Sequence, residues 1–460
     1  MSATVGSSEL ADLGLPRVDV DSHPHDRLGF RARLWSAIGV FLAAGAISAC
    51  TADAPKAAPT SSSATARETP TNADWSAQAD VMSPLLIDAV APAPIPVRGS
   101  DENFHVAYEL TVLNFSPRPA VLTSVETLAP DGSRVASLSQ DDIAARMMVV
   151  ADYGSAASAA DGASAALWIP PGKTALLVLD DVYETREAIP ASVTHQISAS
   201  FGSAESGVGG IAVLWPDEVS QSGGTMTISN EEPVVVGAPL RGQGWLISNA
   251  CCTLNGHRNV LLPVGGRING AERFAIDASR IDVASTRARG YEALVEVDGD
   301  PDDNESYRAY GAPVLAVADA TVVAVHSTDP DTAPGTLPLG PGFTLANLGG
   351  NLIALELVPD LFAVYYHLVP GSPTVRVGDT VTKGQEIARL GNSGNSSAAH
   401  LHFQLSRTPL IFSSESVPYV FEEFTVVGSI DADSGELIDE PPPGPRENAL
   451  PLALTILDFP

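Results

Sequence analysis

Apolar and polar residues alternate over many short segments of the chain, and this period of two predicts β-strands. In the first half of the chain the clearest of these segments are residues 104–115, 120–126, 174–179 and 193–201. Turns rich in proline and glycine separate them, as at residues 130–132. Short alternating strands with such turns are typical of an antiparallel sandwich, so we expect an immunoglobulin-like β-sandwich over residues 80–232.

A second strand-rich region is expected over residues 233–430. Its apolar runs are residues 274–277, 314–317, 321–325, 351–357 and 362–368. Sustained helical periodicity is absent from the sequence after residue 50, so the predicted fold class is all-β. We expect residues 431–460, which are acidic and rich in proline, to form an exposed extension, with residues 452–460 returning as an edge strand.

The N-terminal segment has the pattern of an export signal. Arg27, Arg31 and Arg33 precede an apolar run that ends at Cys50. This run is shorter than the about 20 apolar residues that span a membrane, which favours a signal over a permanent anchor. Residues 51–79 consist mostly of Ala, Pro, Ser and Thr, as expected of a flexible linker.

Residues 47–50, Ile-Ser-Ala-Cys, resemble the lipobox of bacterial lipoproteins. The resemblance implies that Cys50 is lipidated and that the protein is anchored at the extracellular face of the cell membrane. An ordinary secretory signal or an uncleaved anchor is the alternative. Each of these interpretations predicts that the folded part lies outside the cytoplasm.

Acidic residues outnumber basic ones by 55 to 25, and the formal net charge is −30. Binding to nucleic acid needs a basic surface that contacts phosphates, so this class of function is excluded. An acidic surface favours solubility and identifies no partner. The composition likewise sets no oligomeric state.

A pair of histidines marks the candidate chemistry. Residues 400–405 alternate as a strand does, so His400 and His402 share one face while Leu401 and Phe403 share the other. Neutral imidazole is a good zinc ligand, and two rings on a rigid element suit such a site. Surface strands carry the same pair by chance, however, so the pair alone is weak support.

Several further motifs occur in a fixed order around this pair. They are a strand-turn-strand pattern at residues 310–323, Gly-Gly-Asn at 349–351, Tyr-Tyr-His-Leu at 365–368, a glycine-punctuated segment at 375–391 and the His-Leu-His-Phe ending at 403. Together they resemble the lysostaphin/LytM-type zinc peptidases, family twenty-three of the metallopeptidases. The resemblance implies a LytM-type, antiparallel β-rich domain. It also implies a zinc endopeptidase that cuts peptides of bacterial cell-wall peptidoglycan.

Residue by residue, the resemblance implies that His402 and Asp277 bind zinc and that His400 and His367 are catalytic, with Tyr366 supporting the site. The chemistry of these residue types agrees. Zinc with an open coordination position lowers the pKa of bound water to about 7. Two histidines can then accept its proton and stabilise the developing oxyanion.

One position departs from the family pattern. The family carries a histidine four residues before the aspartate, and Arg273 stands there in this chain. A guanidinium offers no lone pair and cannot bind zinc, so either the site is inactive or another histidine replaces it. The alternative function is therefore a catalytically inactive domain that binds the cell wall or regulates another protein. Retention of the other site residues favours the enzyme.

His257 is the preferred replacement. If residues 257–264 and 273–277 form a hairpin, a centre at Arg267 pairs His257 with Asp277 and a centre at Gly265 pairs it with Arg273. Either register places His257 on the face of Asp277. A family variant with His-Arg ahead of Arg-Phe-Ala-Ile-Asp supports the choice.

Four further residues complete the expectations. His326 is the rival ligand, and Arg273 is expected to orient Asp277 or the substrate carbonyl. Cys251 and Cys252 are expected to form a disulfide with each other or to be two partly buried thiols, because lipidation would remove Cys50 as a partner. Binding of zinc by their thiolates is less favoured, since His257, Asp277 and His402 already provide three ligands.

Overall fold

The structure is a computed structural model. It describes residues 82–90, 92–150, 168–202, 215–252, 256–289, 299–337, 343–345 and 347–460. The predicted signal, the lipid attachment at Cys50 and the linker all lie outside these residues. Among the described residues, no helix has the length and apolar character needed to cross a membrane.

The first half of the described chain is built from strands that follow the predicted alternation. The strands are β1 (Leu85–Ala89), β2 (Val97–Arg98), β3 (Phe104–Asn114), β4 (Ala120–Leu128), β5 (Arg134–Leu138), β6 (Met147–Val149), β7 (Thr174–Tyr183), β8 (Ser192–Phe201) and β9 (Glu218–Thr227). A short helix α1 (Gln140–Ala144) begins with a capping box at Ser139 and Asp142.

Two antiparallel sheets form this half. One has the order β1-β3-β7-β6 with β2 beside β3, and the other has the order β5-β4-β8-β9. Strand β8 alternates between buried and half-buried residues along its whole length, because one face of the strand enters the core. Side chains from both sheets, including Val106, Leu122 and Ile197, share that core. The predicted all-β fold class is confirmed, while the immunoglobulin-like type of the sandwich stays a prediction.

The second half is also built from strands, with one short helix α2 (Val283–Arg289). The strands are β10 (Val234–Val236), β11 (Gly242–Asn249), β12 (Leu261–Val264), β13 (Arg267–Gly270), β14 (Ile276–Arg280), β15 (Pro313–Leu315), β16 (Ala320–His326), β17 (Leu352–Val358), β18 (Leu361–Tyr366), β19 (Thr380–Val381), β20 (Glu386–Arg389), β21 (Leu401–Ser406), β22 (Ser416–Val417), β23 (Tyr419–Ile430), β24 (Leu437–Ile438), β25 (Gly444–Ala449) and β26 (Thr455–Phe459).

One large sheet organises this half, with the order β10-β23-β26-β11-β14-β21-β18-β17-β16-β19. Strand β21 lies between β14 and β18 and runs antiparallel to both. Its residue His402 is the register partner of Asp277 on one side and of Tyr366 on the other. Asp277, His402 and Tyr366 therefore lie side by side on three neighbouring strands, although they are far apart in sequence.

The C-terminal segment does not form the exposed extension that we expected. Strand β26 lies between β23 and β11 rather than at an edge, and its residues Ile456 and Leu457 are fully buried. Ser100 next to the sandwich accepts a hydrogen bond at its carbonyl from Arg446 Nε (2.7 Å). The expectation was wrong because the segment, although acidic and rich in proline overall, ends in a short apolar strand. This strand pairs with β23 on one side and with β11 on the other.

The expected pairing of His257 with Asp277 or Arg273 was also wrong. Strands β12 and β13 form a hairpin in which Val264 pairs with Arg267, but β13 ends at Gly270. A tight turn then redirects the chain, with Ala275 N donating to Glu272 O (3.0 Å), and β14 pairs with β11 and β21 instead. His257 lies ahead of the hairpin in a 3₁₀ turn, His257–Asn259.

We predict that Phe403→Ala lowers the free energy of unfolding by about 3–5 kcal/mol, because it opens a cavity in a closely packed core. Phe403 is fully buried, and its ring centroid lies 5.1 Å from that of Tyr365 and 5.3 Å from that of Tyr419. Thermal unfolding followed by circular dichroism measures the change. Val377→Ala is the control, because Val377 is 62% exposed. Equal midpoints for the two variants would contradict the assignment of this core.

Candidate metal centre

Asp277 and His402 are brought together by strand pairing alone. They are register partners on β14 and β21, and His402 Nδ1 lies 3.1 Å from Asp277 Oδ1. Directly opposed residues on one face of an antiparallel pair hold their Cβ atoms about 4.5–5.5 Å apart, so their side chains meet. Both residues are buried. The pairing of β14 with β21 thus positions one carboxylate and one imidazole of the site.

His257 reaches the same carboxylate from outside the sheet. The 3₁₀ turn places its Nε2 atom 3.1 Å from Asp277 Oδ2. The ligand atoms of His257, Asp277 and His402 all lie within 4.8 Å of one another. Bonds of about 2.0–2.2 Å in tetrahedral geometry separate two zinc ligands by about 3.3 Å. The observed separations therefore fit a tetrahedral metal ion with His257 as a ligand.

The hydrogen bonds of the two histidines direct their other ring nitrogen towards Asp277. His257 Nδ1 donates to the carbonyl of Ala275 (3.1 Å), so the lone pair of the neutral ring is on Nε2, which faces Asp277. His402 Nε2 donates to Gln404 Oε1 (3.2 Å), so its lone pair is on Nδ1. An acceptor on the outer nitrogen is how proteins set the tautomer of a metal-binding histidine.

His400 and His367 form a second pair beside these ligands. Their ring centroids are 4.6 Å apart, and both rings line the same cavity as His257, Asp277 and His402. His400 Nδ1 donates to Ala398 O (2.8 Å) and His367 Nδ1 donates to Ser393 O (2.7 Å). In the neutral form of each ring the lone pair is therefore on Nε2, and His400 Nε2 lies 3.4 Å from Asp277 Oδ1.

Two glycine loops hold His367 in an unusual conformation. His367 follows β18 directly and has a φ of 63°, a left-handed value that non-glycine residues seldom adopt. Its amide donates to Gly349 O (3.1 Å), and its carbonyl accepts from Gly391 N (3.0 Å). A Cβ atom on Gly394 would come within 2.4 Å of Gly350 N. Only glycine permits this contact between the two loops, so both motifs serve to orient one histidine.

The electrostatics divide the histidines into two classes. Burial acts to raise the pKa of Asp277, but the neighbouring His257 and His400 outweigh it and hold that pKa well below its usual value. Burial likewise lowers the pKa of His257, yet the Asp277 charge prevails and raises it to about 9. Burial and the rings of His400 and His402 hold the pKa of His367 well below its usual value. His367 is therefore neutral at pH 7 and can accept a proton.

The sequence analysis missed two residues around the centre. Asn249 Nδ2 donates to Asp277 Oδ2 (2.8 Å) and so orients the carboxylate. Glu272 is fully buried, and neither carboxylate oxygen has a hydrogen-bond partner among the described residues. Its Oε1 lies 3.9 Å from His402 Nε2, and burial raises its pKa. A carboxylate directly before Arg273 was visible in the sequence, whereas nothing there pointed to Asn249.

Arg273 does not take the role we expected. Its guanidinium binds the carboxylates of Glu109 and Glu415, so it orients neither Asp277 nor a substrate carbonyl. The reason is that the tight turn before β14 directs the side chain towards the sandwich. Tyr366 does lie at the site, with its ring against the ring of His402 at 5.9 Å between centroids.

The remaining candidates lie apart from the centre. His326 pairs with Asp329 at 3.0 Å, and its side chain is 43% exposed. Cys251 and Cys252 are joined by a disulfide and are buried, so neither sulfur is a free thiolate for the metal.

Comparison with known proteins locates part of this centre. The profile of Peptidase family M23 matches residues 305–411. The resemblance predicted from the motifs is thereby confirmed over that segment, and the match supports a metallopeptidase in general. His367, His400 and His402 lie inside the matched segment, whereas His257 and Asp277 precede it. The assignment of those two as ligands therefore depends on the geometry described above.

Parts of the chain are similar to several solved structures. One is the catalytic domain of a variant of the prophage-encoded M23 protein EnpA from Enterococcus faecalis, with 17% identity, a TM-score of 0.23, and 39% of this chain and 93% of that chain covered. The antimicrobial peptidase lysostaphin from Staphylococcus simulans has 28% identity and a TM-score of 0.18, with 24% of this chain and 38% of that chain covered. A structure of the SpoIIQ–SpoIIIAH pore-forming complex has 16% identity and a TM-score of 0.23, with coverages of 39% and 87%.

We predict that metal binding at pH 7 releases about one proton from His257, because metal and proton compete for the same lone pair. The pKa of His257 is raised to about 9 in the metal-free protein. Its stabilising contact with Asp277 is therefore fully present below its unfolded pKa of about 6.5 and is lost as the pH rises through 9. Affinity for Zn²⁺ should accordingly increase between pH 6.5 and 9.

Calorimetric titration with Zn²⁺ in buffers of different ionisation enthalpy measures the protons released. His326→Ala should release the same number, because His326 lies outside the centre and pairs with Asp329. Binding without proton release, or an affinity that does not change over this pH range, would contradict the participation of His257.

Proposed function

We propose that this protein is a zinc metalloendopeptidase that hydrolyses peptide bonds of bacterial peptidoglycan. The observation that carries the proposal is the convergence of candidate ligand atoms on one carboxylate. His257 Nε2 and His402 Nδ1 each lie 3.1 Å from an oxygen of Asp277, and the rings of His367 and His400 line the same cavity. Three ligands with an open position, beside one histidine that can accept a proton and one that can donate a hydrogen bond, are the arrangement of a catalytic rather than a structural zinc site.

His257, Asp277 and His402 would hold the zinc ion, which would polarise the scissile carbonyl and make a water molecule acidic enough to react at neutral pH. His367 is assigned as the proton acceptor of the remaining pair, because its pKa lies well below the usual value and its Nε2 is therefore unprotonated at neutral pH. The pKa of His400 is raised: burial opposes the shift, but the charge of Asp277 outweighs it. His400 therefore holds a proton more readily and donates a hydrogen bond to the oxygen that develops negative charge.

The polar rim of the cavity supports a peptide as the substrate. Ser396, Ser397 and Asn395 line it beside the two histidines, and both polar atoms of the Asn395 side chain have no hydrogen-bond partner among the described residues. A peptide backbone offers donors and acceptors that such groups can bind. The match of residues 305–411 to Peptidase family M23 supports peptidoglycan as its source.

The alternative, a catalytically inactive module that binds the cell wall, rested on Arg273. The side chain of that residue is held by two glutamates away from the centre, and His257 occupies the place beside Asp277. Nothing in the geometry of the described residues favours the alternative over the enzyme, so it becomes an outcome of the experiment below.

We predict that His400→Ala and His367→Ala each retain zinc but lose at least about 100-fold in the rate of peptide hydrolysis, the usual contribution of a general acid or base. His257→Ala should lose both zinc and activity. Metal content is measured by atomic emission. Cleavage is followed by mass spectrometry of purified peptidoglycan and of synthetic stem and cross-bridge peptides.

His326→Ala is the matched control and should keep wild-type metal content and rate. Wild-type protein that holds zinc but cleaves none of these substrates would support the inactive module. Wild-type protein without zinc would contradict the metal centre itself.

We further propose that the protein acts outside the cytoplasm, attached to the cell membrane by a lipid on Cys50. The support is the arginines and the apolar run that precede this cysteine. Cys50→Ala should abolish incorporation of radiolabelled palmitate and move the protein from the membrane fraction to the soluble fraction. The same distribution for both proteins would exclude lipid attachment at this residue.

A further inference from the structure

The geometry points to the β-sandwich as part of the metal centre: Glu109 on β3 is a positioning residue that holds the turn carrying His257. This inference rests on the proposed function, because the position of the turn has a consequence only if His257 binds the metal. Glu109 lies in the opposite half of the molecule from every candidate ligand, and it belongs to none of the motifs that identify the family.

Glu109 reaches the first ligand through Arg258, the residue after His257. Arg258 Nη2 lies 3.0 Å from Glu109 Oε1 and also donates to the carbonyls of Tyr108 (3.2 Å) and Leu179 (3.3 Å) on two strands of the sandwich. Its Nη1 donates to Cys252 O (2.9 Å). One guanidinium thus ties the turn to two strands of the sandwich and to the segment that precedes the turn.

Glu109 reaches the second ligand through Arg273, four residues before Asp277. Arg273 Nε and Nη2 bind the Glu109 carboxylate at 3.0 Å and 2.5 Å, and its Nη1 binds Glu415 Oε2 at 2.9 Å. Glu415 Oε2 also accepts from Gly270 N (3.2 Å) at the end of β13. The Glu109 carboxylate therefore binds both the segment that carries His257 and the segment that leads to Asp277.

The burial of this set makes its geometry specific. Glu109 is fully buried and Arg258 is 1% exposed, so water cannot replace a lost partner. Apolar contacts accompany the ion pairs, since Leu261 on β12 packs with Val90 and Val178 of the sandwich. Apolar contact has no preferred direction, whereas the planar fork of a guanidinium binds a carboxylate in one orientation. Glu109 therefore sets the orientation of the turn His257–Asn259 through Arg258.

The test compares Glu109→Gln with the wild-type full chain. The substitution keeps the shape of the side chain and removes its charge. Loss of a group that orients a metal ligand typically weakens metal affinity by about 10–100-fold. We expect a zinc affinity lowered by that factor in competition with a chelator, together with a changed absorption spectrum of the Co²⁺-substituted protein. The spectrum reports the arrangement of the ligands and does not respond to stability alone.

Asp181→Asn is the matched control. Asp181 is a buried carboxylate of the same sandwich, and it accepts hydrogen bonds from Tyr108 (2.7 Å) and Thr127 (3.2 Å) without contacting Arg258 or Arg273. This variant should bind zinc as the wild type does, with an unchanged Co²⁺ spectrum. An equal loss of affinity in Asp181→Asn and Glu109→Gln would overturn the inference, because the effect would then be general destabilisation of the sandwich.

Glu109→Asp provides a second variant in case Glu109→Gln does not fold, as judged by circular dichroism. It keeps the charge but draws the carboxylate back by one methylene, so we expect a folded protein with affinity between those of wild type and Glu109→Gln. Wild-type affinity in either folded variant would overturn the positioning role and leave the proposed function intact. Absence of zinc binding by the wild type would remove both.

Discussion

The carboxylate of Asp277 is buried in the middle of the large sheet, and the arrangement of the site follows from that constraint. An ionised carboxylate away from water needs positive charge or hydrogen-bond donors around it. Here Asn249 donates 2.8 Å from one oxygen, and the nitrogens of His257 and His402 lie 3.1 Å from the two oxygens. Without a metal, protonated histidines can provide the positive charge that the Asp277 carboxylate needs. A divalent cation would provide that charge by itself.

The same constraint explains why the imidazoles approach from different parts of the fold. A flat sheet can present to a carboxylate only the residues on the neighbouring strands, and β21 provides His402 in this way. An imidazole that approaches from above the sheet must come from a separate segment, which here is the turn of His257. That turn has no sheet pairing of its own. Its position consequently depends on what lies behind it, and in this protein that is the sandwich.

Four charged residues lie behind the turn of His257 and fix its position: Glu109, Arg258, Arg273 and Glu415. Removing four ionisable groups from water is costly, and well-packed apolar residues in their place are often equally stable. The set is better understood as a device for orientation than as a source of stability. Burial acts to raise the pKa of Glu109, but Arg273 and Arg258 outweigh it and lower that pKa. Glu109 therefore stays charged and bound to both arginines across the physiological range of pH.

The sequence by itself determined the features that depend on local pattern. Alternation predicted β3, β8, β18 and β21 within a few residues, because the spacing of side chains along one strand is set by the backbone. The ordered motifs around His400 and His402 identified the family over the matched segment. Only the tertiary structure decided how His257 reaches Asp277, where Arg273 points and where β26 lies. Each of these depends on contacts between segments far apart in the chain, such as Arg273 with Glu109. No pattern within one segment records which distant partner will meet it.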